Sequence, residues 1–195
     1  MGYLVRALKF LVALVLTAAV VLWFAARRGD RGYIEEEISI DRSAPVVFRW
    51  IVSDELLLRW ISDVSKLERS GPAKPPAQAS SDLHLEELIA NQPVAFEIKI
   101  VRTIPNQEID LLVQPPPEPL ESYISNANFK LFSDGDYTKL AFTSQTNYFS
   151  LSDRIFEPIL TYATRRKLRD DLARLKVMVE AEGAQPENRK GARGQ

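Results

Sequence analysis

Between Tyr33 and Tyr148 most apolar residues recur at every second position, in short stretches broken by Pro, Gly and Asn. Only one long segment, Leu151 to about Glu182, has helical periodicity. A sheet with one apolar face must cover that face, and this segment is the only long element available to do so. "YIEEEISI" opens the pattern: Ile34, Ile38 and Ile40 share one face, Glu35 and Glu37 take the other, and Glu36 is an acidic exception among the apolar residues. Ser43 then fits an N-cap, with Pro45 in the first turn where its missing N–H costs nothing. A short helix follows with Val47, Phe48, Trp50 and Ile51 as its apolar stripe, and Ser53 or Asp54 restarts the capping for a second, in which Leu57, Leu58 and Ile61 recur. Strands follow near Val64–Arg69, Leu83–Ile89, Val94–Val101 and Ile109–Val113, then a final hairpin. The layout is α+β: a curved antiparallel sheet of about six or seven strands around a long C-terminal helix, with two short helices after the first strand.

Two turns fix which side chains meet. "IPNQ" puts Pro105 and Asn106 at the centre of a tight turn, which sets Ile100 opposite Leu111 and Ile98 opposite Val113. Phe96, Ile98 and Ile100 then share a face with Ile109, Leu111 and Val113. "SDGD" puts Asp134 and Gly135 in a two-residue loop, pairing Phe129 with Leu140, Ala127 with Phe142, Ser125 with Ser144 and Tyr123 with Thr146. Asn126, Asn128, Lys130, Lys139, Thr143 and Gln145 take the opposite, wet face. In the last helix Leu168, Leu172, Leu175 and Val179 form one stripe, while Ile155, Ile159 and Tyr162, around Pro158, point in another direction. Arg166–Asp170, Lys167–Asp171 and Asp170–Arg174 have the spacing of ion pairs on a solvated face.

The chemistry is bounded mainly by exclusion. With 195 residues, 46% apolar, there is material for one well-packed domain. Lys plus Arg (25) nearly balances Asp plus Glu (26), so no basic field draws nucleic acid. There is no cysteine, His84 is the only histidine, and no phosphate-binding, dinucleotide or hydrolase motif accompanies it, so neither a metal nor a cofactor is expected. Tyr123, Tyr148, Arg102, Glu86 and His84 are the candidate acids and bases; no pair has diagnostic spacing, and the chain leans away from an enzyme.

Phe10–Ala26 carries no charge and makes about 25 Å of helix, reaching ~30 Å if Arg6 and Lys9 snorkel. Trp23 or Phe24 would occupy a position where a cleaved signal peptide wants a small residue, so an uncleaved anchor is expected. The resulting division is a flank at 1–9, a transmembrane anchor at 10–26, a linker at 27–32, the folded domain at 33–182 and a disordered tail at 183–195. Arg27, Arg28 and Arg31 against Arg6 and Lys9 tip the domain slightly to the cytoplasmic side.

"ISIDRSAPVVFRWIVSDELLLRWIS", with "APVVF" opening a helix and Trp60 in the next one, resembles the start of the SRPBCC superfamily, which includes START, polyketide cyclase/dehydrase and birch-pollen-allergen-type proteins. "YTKLAFTSQTNYFSLSDRIFEPILTYATRRKLRDDLARLKVMVEAE" is similar to their final strand and long helix, so the resemblance covers Tyr33–Glu182. It implies a helix-grip fold with a cavity for a hydrophobic ligand between sheet and helix. The Pro-rich segments at 71–78 and 114–119, and the anchor, depart from the family pattern.

The residues themselves also point to a pocket. Ser125, Ala127 and Ser144 are small at mid-strand positions where a solid core wants larger side chains. Tyr123, Thr146 and Tyr148 then supply hydroxyls at one end for the polar part of an amphipathic ligand. Phe96, Ile98 and Phe142 from the sheet, Trp60 from the second short helix, and Ile159 and Tyr162 from the last helix complete the expected lining. The alternative is a core filled by Leu160 and Tyr162. Three functions follow: a membrane-anchored binding or transfer module for a lipid or other hydrophobic small molecule; a polyketide cyclase/dehydrase-like enzyme; and a membrane-tethered interaction domain without ligand.

Overall fold

Strand pairing and the one long helix set the architecture of the computed structural model, which describes residues 2–27, 31–70, 82–89, 92–115 and 123–183. The elements are α1 (Gly2–Arg27), β1 (Arg31–Ile40), α2 (Ala44–Val52), α3 (Asp54–Trp60), β2 (Val64–Ser70), β3 (Asp82–Ile89), β4 (Gln92–Ile104), β5 (Glu108–Gln114), β6 (Tyr123–Asp134), β7 (Tyr137–Tyr148) and α4 (Leu151–Gly183). The expected insert at 71–78, most of that at 114–119, and all of the expected tail except Gly183, which ends α4, lie outside the described residues. Seven strands make one antiparallel sheet in the order β1-β7-β6-β5-β4-β3-β2, with α4 against its concave face.

The β4–β5 register is as expected, with Ile100 opposite Leu111 and Ile98 opposite Val113, but it is reached differently. The loop has three residues, Pro105 to Gln107, with Asn106 left-handed at φ 62°, and a bulge at Val101 cancels the extra residue. In the last hairpin the loop is Gly135-Asp136, with Gly135 at φ +62° and Asp134 opposite Tyr137. The expected pairing is therefore corrected by two residues: Phe129 faces Phe142, Ala127 faces Ser144, Ser125 faces Thr146 and Tyr123 faces Tyr148. A shift of two preserves the face of every side chain.

The packed core sits at one end. Val47, Phe48, Trp50 and Ile51 of α2 and Trp60 of α3 close on Ile40, Leu131 and Leu140, beneath Leu172, Leu175 and Val179 of α4. Trp60 donates its indole N–H to the Trp50 carbonyl at 3.1 Å, and Trp50 donates its own to Glu182 Oε2 at 2.6 Å. Ser43 occupies the N-cap position of α2 through its backbone, accepting the Val46 and Val47 N–H groups, without a side-chain cap.

Charged side chains tie both flanks of α4. Toward β1, Arg169 donates to Glu36 Oε1 at 2.8 Å and Lys176 to the Ser39 carbonyl at 2.6 Å, which accounts for the acidic exception on the apolar face. Toward α3 and β3, Asp171 accepts the Ser62 N–H at 2.9 Å and Lys167 Nζ at 2.7 Å. Asp171 is buried, which corrects the expectation that the Lys167–Asp171 pair lies on a solvated face.

Among the described residues no helix is long and apolar enough to cross a membrane. The run expected to do so is helical in backbone, but within it the side chains of Ala18, Val21, Leu22, Phe24, Ala25 and Ala26 lie outside the described residues.

At Gly32 β1 comes close to α4: a Cβ there would stand 2.9 Å from Thr161 Oγ1 and 3.2 Å from Tyr148 Cε2. Gly32→Ala is expected to destabilise the domain by about 1–3 kcal/mol in chemical denaturation, with partial recovery in the double variant that adds Thr161→Ala. An unchanged unfolding midpoint in the single variant would show that the two elements are not in contact there.

Candidate functional site

The concave face is built in rows across the strands. At the closed end, Ile40, Thr138 and Leu140 are fully buried beneath α2 and α4. The row Glu36, Phe142, Phe129 brings two aromatic rings edge to face at 4.8 Å. The next two rows contain the small side chains: Ser144 and Ala127 beside Leu111 and Ile100, then Thr146 and Ser125 beside Val113 and Ile98. At the open end stand Tyr148 and Tyr123, with Phe96 and Leu85 across the sheet and Glu87 beyond them.

Small residues are tolerated here because their polar atoms satisfy one another. Ser125 and Ser144 share a hydrogen bond of 2.7 Å, and Thr146 Oγ1 donates to Ser125 Oγ at 3.0 Å, a strip of three hydroxyls on an otherwise apolar wall. Along this half Phe96, Ile98, Ile100, Leu111 and Val113 are only half-buried although they face inward, while Leu83 and Leu85 on β3 and Tyr148 on β7 are buried. The contrast with the closed end indicates a wall that α4 does not fully cover.

This is the helix-grip fold. Solved structures that share it include the Zhui aromatase/cyclase from Streptomyces sp. R1128 (TM-score 0.66, 12% identity, covering 80% of this chain and 97% of that one). A START superfamily protein from Mycobacterium smegmatis (0.60, 14%, 77% and 98%) and Ara h 8.0201 (0.57, 15%, 77% and 99%) share it as well. At such identities the likeness concerns the fold. No protein-family model and no curated protein matches the chain.

The helix grip brings Phe96, Ile98, Tyr123, Ser125, Ala127, Phe142, Ser144, Thr146 and Tyr148 onto one wall. Trp60 is set in the packed core at the closed end. Ile159 and Tyr162 are not brought to the wall: both are exposed, whereas Arg154, Thr161 and Arg165 of the same half of α4 meet β1 and β7. Arg102 pairs with Glu108 and Asp110 on the convex face, Glu86 accepts from Ser65 Oγ, and His84 is exposed, so none of these three reaches the wall. A shallow depression of about 420 Å³ lies on the convex side, bordered by Tyr33, Val101, Asp110, Asn126, Asn128 and Gln145. Leu111, Ala127 and Ser144, whose side chains belong to the concave wall, also border it.

Two residues at the open end escaped the sequence reading. Glu87 follows Leu83 and Leu85 in strand phase and faces inward, a signal present in the alternation itself. Its Oε1 is 2.5 Å from Lys167 Nζ of α4, an ion pair between the strand and the helix. Nothing within the helix marks Lys167 as inward; the partner lies on another element. Burial alone would lower the Lys167 ammonium, but the Asp171 and Glu87 carboxylates outweigh it and hold its pKa above the ordinary value.

Burial pushes the Tyr123 hydroxyl up to about 12, with Tyr148 and Glu87 adding to the effect. Tyr148, its ring centroid 6.3 Å away, is raised by burial too. The native state therefore keeps these protons after the unfolded chain, whose tyrosines titrate near 10, has lost them. Their contribution to stability is fully present below about pH 10 and is lost as pH rises toward 12. Urea midpoints should fall across that window, less steeply in Tyr123→Phe; an identical slope in the variant would remove Tyr123 as a source.

Proposed function

We propose that the chain is a membrane-anchored binding or transfer module for a lipid or other hydrophobic small molecule, held between the open half of the sheet and α4. The observation that carries this reading is the change in burial along the concave face, from a sealed core around Leu140 and Leu172 to half-buried apolar residues around Ile98 and Phe96. A ligand with an apolar body fits that wall, and the strip Thr146, Ser125, Ser144 together with Tyr123 offers donors and acceptors for its polar end.

The tether is part of the proposal. Phe10–Ala26 is uncharged, and every described side chain of α1 is exposed, including nine in succession from Lys9 to Thr17 that circle the helix. Water disfavours such an arrangement and hydrocarbon accommodates it. A ligand that partitions into the bilayer is more accessible to a domain held at that surface. Three arginines, Arg27, Arg28 and Arg31, against Arg6 and Lys9 tip the proposed orientation slightly toward the cytoplasmic side. A reporter fused after Gln195 and active only on the other side would overturn that orientation.

A second reading, a cyclase-like enzyme, is favoured by one observation: Tyr123, Glu87 and Lys167 gather acid and base groups at the open end. Tyr123→Phe separates the two, since an enzyme loses turnover while retaining its ligand.

The direct test is native mass spectrometry of the full chain, with lipid analysis of what co-purifies. A chain that is always empty and gains no thermal stability from added lipids would sink the carrier reading. Ser144→Phe is expected to abolish binding of the apolar probe 1-anilinonaphthalene-8-sulfonate while costing less than about 1.5 kcal/mol of stability; a loss of about 3 kcal/mol or more would show that the space is already filled.

A further inference from the structure

We propose that the outward side of the first half of α4 is the face by which the domain lies on a lipid bilayer, turning the open end of the chamber toward the membrane. The proposal rests on the anchored reading above. Its observation is a reversal of amphipathicity within one helix. From Leu168 onward α4 is ordinary, with Leu168, Leu172, Leu175 and Val179 turned to the core. Before that the sides are exchanged. Arg154 donates to the Tyr148 carbonyl at 3.3 Å, Thr161 packs at Gly32, and Arg165 donates to the Tyr33 carbonyl at 3.2 Å, so the inward side is polar. Phe156 (55% exposed), Ile159 (65%) and Leu160 (43%) are turned out, and Phe149 just before the helix is 51% exposed. A helix surrounded by water has the opposite arrangement.

The position of this face relative to α1 selects its occupant. α1 ends at Arg27, and five residues later Gly32 is packed at Thr161. Five residues span at most about 18 Å, so the first half of α4 is held close to the point where the chain leaves the bilayer. α1 meets α4 but leaves these side chains exposed. Exposed Arg166, one turn beyond Tyr162, is placed to meet lipid headgroups.

The same face borders the chamber. Phe156, Leu160, Ala163 and Lys167 follow one another at four- and three-residue spacing and so form one row, and Lys167 reaches Glu87 on β3. Phe156 and Leu160 therefore line the gap between α4 and β3 on the open side of that ion pair. A ligand leaving the bilayer here meets apolar side chains before it meets the hydroxyl strip.

The absence of cysteine permits a clean test. Full-length Phe156→Cys, Ile159→Cys, Val177→Cys and Val15→Cys, each carrying an NBD fluorophore, are reconstituted in phosphatidylcholine vesicles containing lipids with quenchers near the headgroup or deep in the acyl chains. Val177 is outward and apolar but lies in the second half of α4. The expected result is deep quenching at 15, shallow quenching with a blue shift at 156 and 159, and neither at 177. Deep quenching at 15 with 156 and 159 as wet as 177 overturns the docking face and leaves the anchor intact. No quenching at 15 overturns the anchor and the docking face with it. Protection at 159 that disappears on dilution to one chain per vesicle identifies a second copy as the occupant and also overturns the proposal.

Discussion

A single helix about 10 Å wide is set against seven strands whose spacing of ~4.8 Å adds up to nearly 30 Å. Everything else follows from that mismatch. Curvature brings the edges of the sheet inward, yet α4 still lies mainly along β1 and cannot seal the whole concave face. At one end the deficit is made up by α2 and α3, which contribute Trp50, Trp60 and Ile51, and the core there closes completely. At the other end no such supplement stands among the described residues, and the wall from Ile98 to Phe96 stays half-buried.

The position of α4 over that gap is set by polar ties on both flanks together with the apolar packing of Leu172, Leu175 and Val179. On one side Glu36, the Ser39 carbonyl and the Asp41 N–H are engaged by Arg169, Lys176 and Glu180. On the other, Asp171 and Lys167 hold the Ser62 N–H and Glu87. Asp171 is the buried carboxylate among them, whereas Arg169 is exposed; pairs of either kind add little net stability, the first because desolvation offsets the pairing and the second because water screens it. What they contribute here is placement: removing one partner leaves an uncompensated charge, so the helix has few alternative positions.

Most of this architecture was legible from the period of the apolar residues. The face of every strand residue in the final hairpin survived a loop placed one residue early, because the resulting two-residue slip cannot exchange faces. In the β4–β5 hairpin an unexpected third loop residue and an unexpected bulge compensated each other, leaving Ile100 opposite Leu111. What was not legible depends on partners distant in sequence. Lys167 and Asp171 have the spacing of a solvated pair, and only the approach of β3 and the end of α3 makes them inward. Ile159 and Tyr162 were rightly separated in direction from the Leu168 stripe, but helical spacing cannot say whether a second direction leads into a cavity or away from it. Glu36 is the converse case, since a charge on the apolar face of β1 already required a partner on α4.

The reversal in α4 joins these points. A helix that only had to cover the sheet would keep one apolar stripe from end to end; this one keeps it for the half that meets the sealed core and gives it up where the wall is incomplete. There the inward side is committed to β1 by Arg154, Thr161 and Arg165, and the apolar side is left facing outward, bordering the gap. Fewer buried apolar contacts go with lower local stability, so the first half of α4 is expected to exchange its amide hydrogens faster than the second. Between α4 and β3 at that end stands the ion pair of Lys167 with Glu87, beside the buried Leu85. At the closed end the same helix is instead set in the aromatic core, through Leu172, Leu175 and Val179.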